Sequence, residues 1–124
     1  MSDAIKHECG IALLRLKKPL EYYQEKYGTA LYGINKLYLL MEKQHNRGQD
    51  GAGVANIKLD TSPGNRYISR HRSIGSKPIA EVFEYINSRF KKLEADSPEK
   101  LADCDYLRAN EAFTGQLFLG HLRY

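Results

Sequence analysis

Residues 54–72 read VANIKLDTSPGNRYISRHR. Val54 to Leu59 alternates loosely between apolar and polar side chains, which predicts a strand. Asp60 to Asn65 contains Ser62-Pro63-Gly64 and predicts a turn. Arg66 to Arg72 predicts a second strand, so the stretch folds as a hairpin. A hairpin pairs its strands antiparallel. That favours an α+β fold over a doubly wound parallel sheet.

The segments on either side fit this frame. Gly28 to His45 predicts a helix, with Leu31, Ile34, Leu37, Tyr38 and Met41 on one apolar stripe and Thr29 available to cap its start. Cys9 to Leu16 reads CGIALLRL, a short apolar run bounded by Gly10 and by Lys17-Lys18-Pro19, which suits a buried strand. Pro19 to Tyr27 reads as a polar connection with a helical turn. Downstream, Lys77-Pro78 opens a second helix. Its apolar positions Ile79, Val82, Phe83, Ile86, Phe90 and Leu93 keep a 3.6-residue period. Ser97-Pro98 starts a third, weaker helix to about Arg108, with Cys104 as a small packing residue. Gln116 to Leu119, within TGQLFLGHLRY (114–124), predicts a central strand. The order is strand, helix, hairpin, helix, helix, strand, with helices covering a sheet. The chain stops inside the last strand, so it is expected to be the front part of something longer.

Composition bounds the rest. The chain has 124 residues, 42% apolar and 27% charged, which suits one globular domain. Nine Tyr and four Phe argue against disorder. No run of about 20 apolar residues exists to span a membrane. Met1 to Glu8 has no apolar core, so no secretory signal is visible. Two cysteines, Cys9 and Cys104, cannot make a disulfide scaffold, and a reducing compartment is the default reading. The four histidines lack metal-ligand spacing. Lys+Arg exceed Asp+Glu by 19 to 15, a mild +4. The clusters Lys17–Lys18, Arg70-His71-Arg72 and Lys91–Lys92 are short solvated faces rather than a nucleic-acid footprint.

Three places can carry chemistry. Cys9 follows an eight-residue leader without structural signals. If Met1 to Glu8 are removed, Cys9 carries a thiol and a free α-amine on one residue. An α-amine with a pKa of about 7.7–8.0 is partly unprotonated at neutral pH and can take the thiol proton. The plain alternative is a buried small side chain. The second place is Gln44-His45-Asn46-Arg47-Gly48-Gln49-Asp50-Gly51-Ala52-Gly53. There Arg47 offers a fixed fork for a carboxylate and Asp50 can anchor the loop. It is not a P-loop, since it lacks the Gly-Lys-Ser/Thr ending. The third is His121-Leu122-Arg123-Tyr124, where alternation sets His121 and Arg123 on one face. Arg123 is either an exposed strand-end charge or a buried one that needs a carboxylate.

Taken together, Cys-Gly-Ile near the start, the Gln-His-x-Arg-Gly-Gln-Asp-x-Ala-Gly loop and His-x-Arg-Tyr after a strand resemble the class II glutamine amidotransferases. The Arg-Gly-Gln-Asp wording is closest to the amidophosphoribosyltransferase branch. Glu8 before Cys9 fits the short leader that some members remove at a Glu-Cys bond. The loop departs in one place: Asn46 stands between His45 and Arg47, where the family reads Gln-His-Arg-Gly.

The resemblance implies a leader at 1–8. It makes 9–124 the N-terminal part of a type 2 glutamine amidotransferase domain. The implied fold is the front of a four-layer αββα N-terminal-nucleophile hydrolase sandwich with antiparallel sheets. It implies Cys9 as nucleophile, Arg123 as the group that holds the glutamine carboxylate, and Arg47 and Gly48 as lining of the same pocket. It implies cytoplasmic purine nucleotide biosynthesis, in which ammonia from glutamine passes to phosphoribosyl pyrophosphate in a further phosphoribosyltransferase domain. Homo-oligomers are expected; a metal site in this chain, a nucleic acid and a membrane are not. Mg2+ belongs to that further domain, and some relatives carry an iron–sulfur cluster. The family's Asn-Gly oxyanion segment lies beyond the motifs present, so the chain alone is expected to show little activity. The alternatives are another class II member, of the glucosamine-6-phosphate synthase or glutamate synthase type, and a non-catalytic fragment or binding module.

Overall fold

Strand β4 (Leu117–Arg123) alternates strictly. Phe118 and Leu122, each 1% exposed, point to one side, and Leu119, His121 and Arg123 point to the other. In the computed structural model, which describes residues 9–44 and 50–123, this strand lies between two others. β1 (Gly10–Arg15) pairs with one edge, Gly10 opposite Leu122 and Arg15 opposite Leu117. β2 (Gly51–Ile57) pairs with the other edge, Gly51 opposite Arg123 and Ile57 opposite Leu117. β3 (Ile68–Ser73) completes the order β1-β4-β2-β3, and every pairing is antiparallel. The expected hairpin is therefore β2–β3. It pairs Ala52 with Ser73 and Ile57 with Ile68, so β2 begins inside the glycine-rich stretch rather than after it. The fold is α+β, with one four-stranded sheet among the described residues.

One face of that sheet is covered by helices. α2 (Tyr32–Glu42) packs on β1 and β4, and α3 (Pro78–Asp96) packs on β2 and β3. Between the layers lie Ile34, Leu37 and Met41 from α2, Val82, Phe83 and Ile86 from α3, and Ala12, Val54, Phe118 and Leu122 from the sheet. Burying side chains of this size contributes roughly 1.5–3 kcal/mol each before entropy is subtracted. The approach of α2 to β4 is close: a Cβ on Gly120 would meet Met41 Sδ at 2.5 Å. The other face of the sheet meets no described element, and there Ile11 and Leu13 are 73% and 63% exposed.

Three boundaries differ from the sequence reading. Residues 20–27 form a full helix, α1 (Leu20–Tyr27), rather than a turn within a connection. Its polar sequence hides two buried anchors, Leu20 and Tyr23. Gly28 then stops it in the left-handed region at φ 81°. The next helix therefore starts at Tyr32 and not at Gly28. Thr29 Oγ1 accepts from the Leu31 N–H at 3.0 Å, bracing the turn before the helix. The third helix is two pieces, α4 (Pro98–Leu101) and α5 (Cys104–Asn110). Asp103 breaks it, because its carboxylate accepts from the Tyr106 N–H at 3.1 Å and caps a new helix. Among the described residues, no helix is long and apolar enough to cross a membrane.

The segment between α3 and β4 is held by a buried carboxylate. Glu111, 2% exposed, accepts from Arg89 Nε at 2.8 Å, Arg89 Nη2 at 2.9 Å and Tyr106 Oη at 3.1 Å. The Arg89 hydrogen bonds hold its pKa below the usual carboxylate value, against the opposing effect of burial. Arg89 is itself 56% exposed, so solvent weakens the pair. Glu111→Gln is expected to cost about 2 kcal/mol at pH 7. The wild-type advantage exists above the unfolded pKa of about 4.3 and fades as pH falls through the lower native value. Thermal melts of both proteins from pH 7 down to pH 3 should therefore converge at the acid end.

Candidate functional site

The sheet register brings two of the three chemical segments together. Cys9 immediately precedes β1 and is exposed. Gly10 pairs with Leu122, so the same register places Cys9 opposite Arg123. Residues opposite each other in an antiparallel pair have Cα atoms about 5 Å apart and side chains on one face. Arg123 in turn pairs with Gly51, and the Asp50 N–H donates to the Arg123 carbonyl at 2.9 Å. On the other side of 45–49, Gln44 Nε2 donates to the Ile11 carbonyl at 3.2 Å. Gln44 and Asp50, the residues that flank 45–49, are thus both held at the Cys9 end of the sheet. Arg47 and Gly48, along with Asn46 between His45 and Arg47, lie outside the described residues.

Arg123 is exposed on the open face and makes no ion pair with a described residue, which decides between the two readings of its charge. Asp50 is held at this end of the sheet through its backbone N–H.

His121, two residues before Arg123 on the same face, was read only as its companion. Its imidazole lies across Gly53 on β2, and a Cβ at Gly53 would collide with Nε2. A side chain at 53 would therefore have to push the exposed His121 ring aside. Pairwise spacing across non-adjacent segments leaves no local sequence signal, so only the register shows it.

The other cysteine is placed elsewhere. Cys104 is buried on α5, and its Sγ donates to Gln24 Oε1 at 3.1 Å. Burial pushes its pKa up, away from nucleophilic use at neutral pH. It packs between α5 and α1, as a small packing residue would. Among the described residues no group of three or more His, Cys, Asp or Glu converges to hold a metal ion.

Comparison of the chain with protein-family models, with curated protein sequences and with solved structures gave no match.

The Gly53–His121 contact is open to test by a double-mutant cycle. Gly53→Ala is expected to push the exposed His121 ring aside and to destabilise the chain by less than about 1 kcal/mol. In a His121→Ala background the same change should cost much less, because the colliding ring is gone. Denaturant midpoints of the four proteins measure the coupling.

Proposed function

We propose that the chain is the front of a glutamine-hydrolysing domain with Cys9 as an N-terminal nucleophile. The branch we favour is the amidophosphoribosyltransferase type, which passes the ammonia to phosphoribosyl pyrophosphate. The observation that carries the proposal is the juxtaposition at one end of the sheet. Carried one residue past Gly10, the β1–β4 register sets an exposed thiol opposite an arginine that makes no ion pair with a described residue, and Gln44 and Asp50, which flank 45–49, hydrogen-bond to the same end of the sheet. Glutamine has a carboxylate at one end and an amide at the other, so its two ends match those two groups.

In this reading the leader 1–8 is removed and the Cys9 α-amine takes the thiol proton, directly or through water. The thiolate adds to the side-chain carbonyl carbon of glutamine. The tetrahedral intermediate collapses with loss of ammonia, whose nitrogen receives the proton. Water then cleaves the γ-glutamyl thioester, releasing glutamate and restoring the thiol. Arg123 grips the α-carboxylate throughout, with Arg47 and Gly48 lining the pocket. A second sheet stacked on the open face completes the αββα sandwich and supplies the oxyanion donors. The loss of one such donor costs a factor of about 10²–10³ in turnover. The phosphoribosyltransferase domain, its Mg2+ and any iron–sulfur cluster belong to segments beyond 9–124. No residue of this chain is assigned to them.

The reading is tested on the full-length protein that carries this chain. Its mass should lack Met1 to Glu8, and a glutamine analogue with a diazoketone in place of the amide should label Cys9 and spare Cys104. An active protein that keeps its leader overturns the role of Cys9. Arg123→Lys should raise the Michaelis constant for glutamine roughly 10- to 100-fold, because a point charge does not replace a bidentate fork. Ammonia-dependent synthesis should persist in that variant. Equal loss of both activities makes Arg123 structural and favours the binding-module alternative.

A further inference from the structure

Six of the eight arginines lie on helices or strands, and they fall into two groups. Those on helices are paired: Arg89 with Glu111, and Arg108 with Glu21 and Asp105. Those on strands have no acidic partner among the described residues. No strand contains an Asp or Glu, and Arg70 and Arg72 of β3 make no ion pair with any described residue.

The register places both on the open face of the sheet. Arg70 is opposite Ala55, itself opposite Leu119, and Arg72 is opposite Gly53, itself opposite His121. Between β3 and β4 these residues and Ile11 line a groove of about 730 Å3. That volume lies in the range of small-molecule sites, roughly 300–1,000 Å3. Two residues apart on a strand, the arginine Cα atoms are about 7 Å apart. Both side chains leave the same face of one strand, so bringing the two guanidinium groups together over the groove sets like charges near each other, at a cost. An anion between the forks removes that cost. A layer stacked over the groove strengthens the requirement, because burying unpaired guanidinium groups costs several kcal/mol.

We propose that this groove is a binding site for a small organic anion. Its charged end is held by Arg70 and Arg72 from one side and by the His121 ring, which reaches over Gly53, from the other. Its carbon body lies on the exposed side chains of Leu119 and Ile11. A second copy of the sheet is a poor occupant, since it would set arginines against arginines. The site is separate from the Cys9–Arg123 pair and does not depend on glutamine chemistry there.

The probe is glutarate, a dianion with a three-carbon body, added to the isotope-labelled full-length protein that carries this chain and followed by backbone amide shifts at matched ionic strength. Saturable shifts at Gly53 and His121 are expected with glutarate and not with the neutral diamide glutaramide. Arg70→Gln and Arg72→Gln should each weaken binding about tenfold. Arg15→Gln, on the same face but outside the groove, and Cys9→Ser should leave it unchanged, so this site stands or falls apart from the amidotransferase reading. Melting curves establish that the variants are folded. Should a Gln variant not fold, Arg72→Lys keeps the charge, loses the fork and should still weaken binding. The proposal is overturned by shifts that sodium chloride reproduces, by shifts that do not saturate, or by arginine variants that bind like the wild type. The absence of any shift, as when an acidic segment of protein already fills the groove, overturns it as well.

Discussion

Strand β4 is hydrogen-bonded along both edges, and almost every other feature depends on that. Its partners come from the first residues of the fold and from its middle, so its pairing closes the chain from Gly10 to Leu122. The entropy of closing so long a loop rises only slowly with length, but it is spent before the contacts form. What offsets it is the alternation of the strand. Phe118 and Leu122 reach the core beneath α2, while both edges satisfy backbone groups that burial would otherwise leave unpaired. The same pairing sets Gly51 beside Arg123 and, carried one residue past Gly10, sets Cys9 opposite it. The scaffold and the candidate site are therefore one constraint: a strand that slipped by one residue would turn Arg123 into the core and Leu122 into solvent.

The features of the fold that were legible in the sequence are those with short-range causes. The β2–β3 hairpin follows from a Ser-Pro-Gly turn between two strand-like runs, and α3 follows from a clean apolar period opened by Pro78. Pro98 follows its end, and the Ser97 N–H donates to the Leu93 carbonyl at 2.8 Å. The features missed have long-range causes. α1 has a polar sequence and is held by distant partners: Glu21 accepts from Arg108 on α5 at 2.7 and 2.8 Å, and Gln24 meets Cys104. The Arg108 hydrogen bonds hold the Glu21 pKa down at about 2, although the carboxylate is largely exposed. Neither α1 nor α5 shows its place without the other.

The site divides in the same way. Residue type and local position single out Cys9 and Arg123, because a thiol beside a possible chain start and an arginine ending an apolar strand are unusual in themselves. The alternation that predicted a shared face for His121 and Arg123 is the alternation observed. What the sequence does not carry is the distance between segments. Nothing local says that the residue beyond Gly10 faces Arg123, or that Gly53 is bare so that His121 can lie on it.

The two populations of arginine follow from the same geometry. A helix end or a loop lets a long side chain turn toward a carboxylate within a few residues or on a neighbouring helix, as Arg108 does with Asp105 and Glu21. A strand removes that freedom, because its side chains stand perpendicular to the sheet and meet only their cross-strand neighbours. For Arg70 and Arg72 those neighbours on β2 are Ala55 and Gly53, which have nothing to offer a guanidinium. Within the described sheet these charges have no acidic neighbour and are left to solvent or to whatever covers the face. The strand pairing that makes the core self-sufficient thus leaves the opposite face with charges that the described residues cannot satisfy, and whatever meets that face has to bring the negative charge.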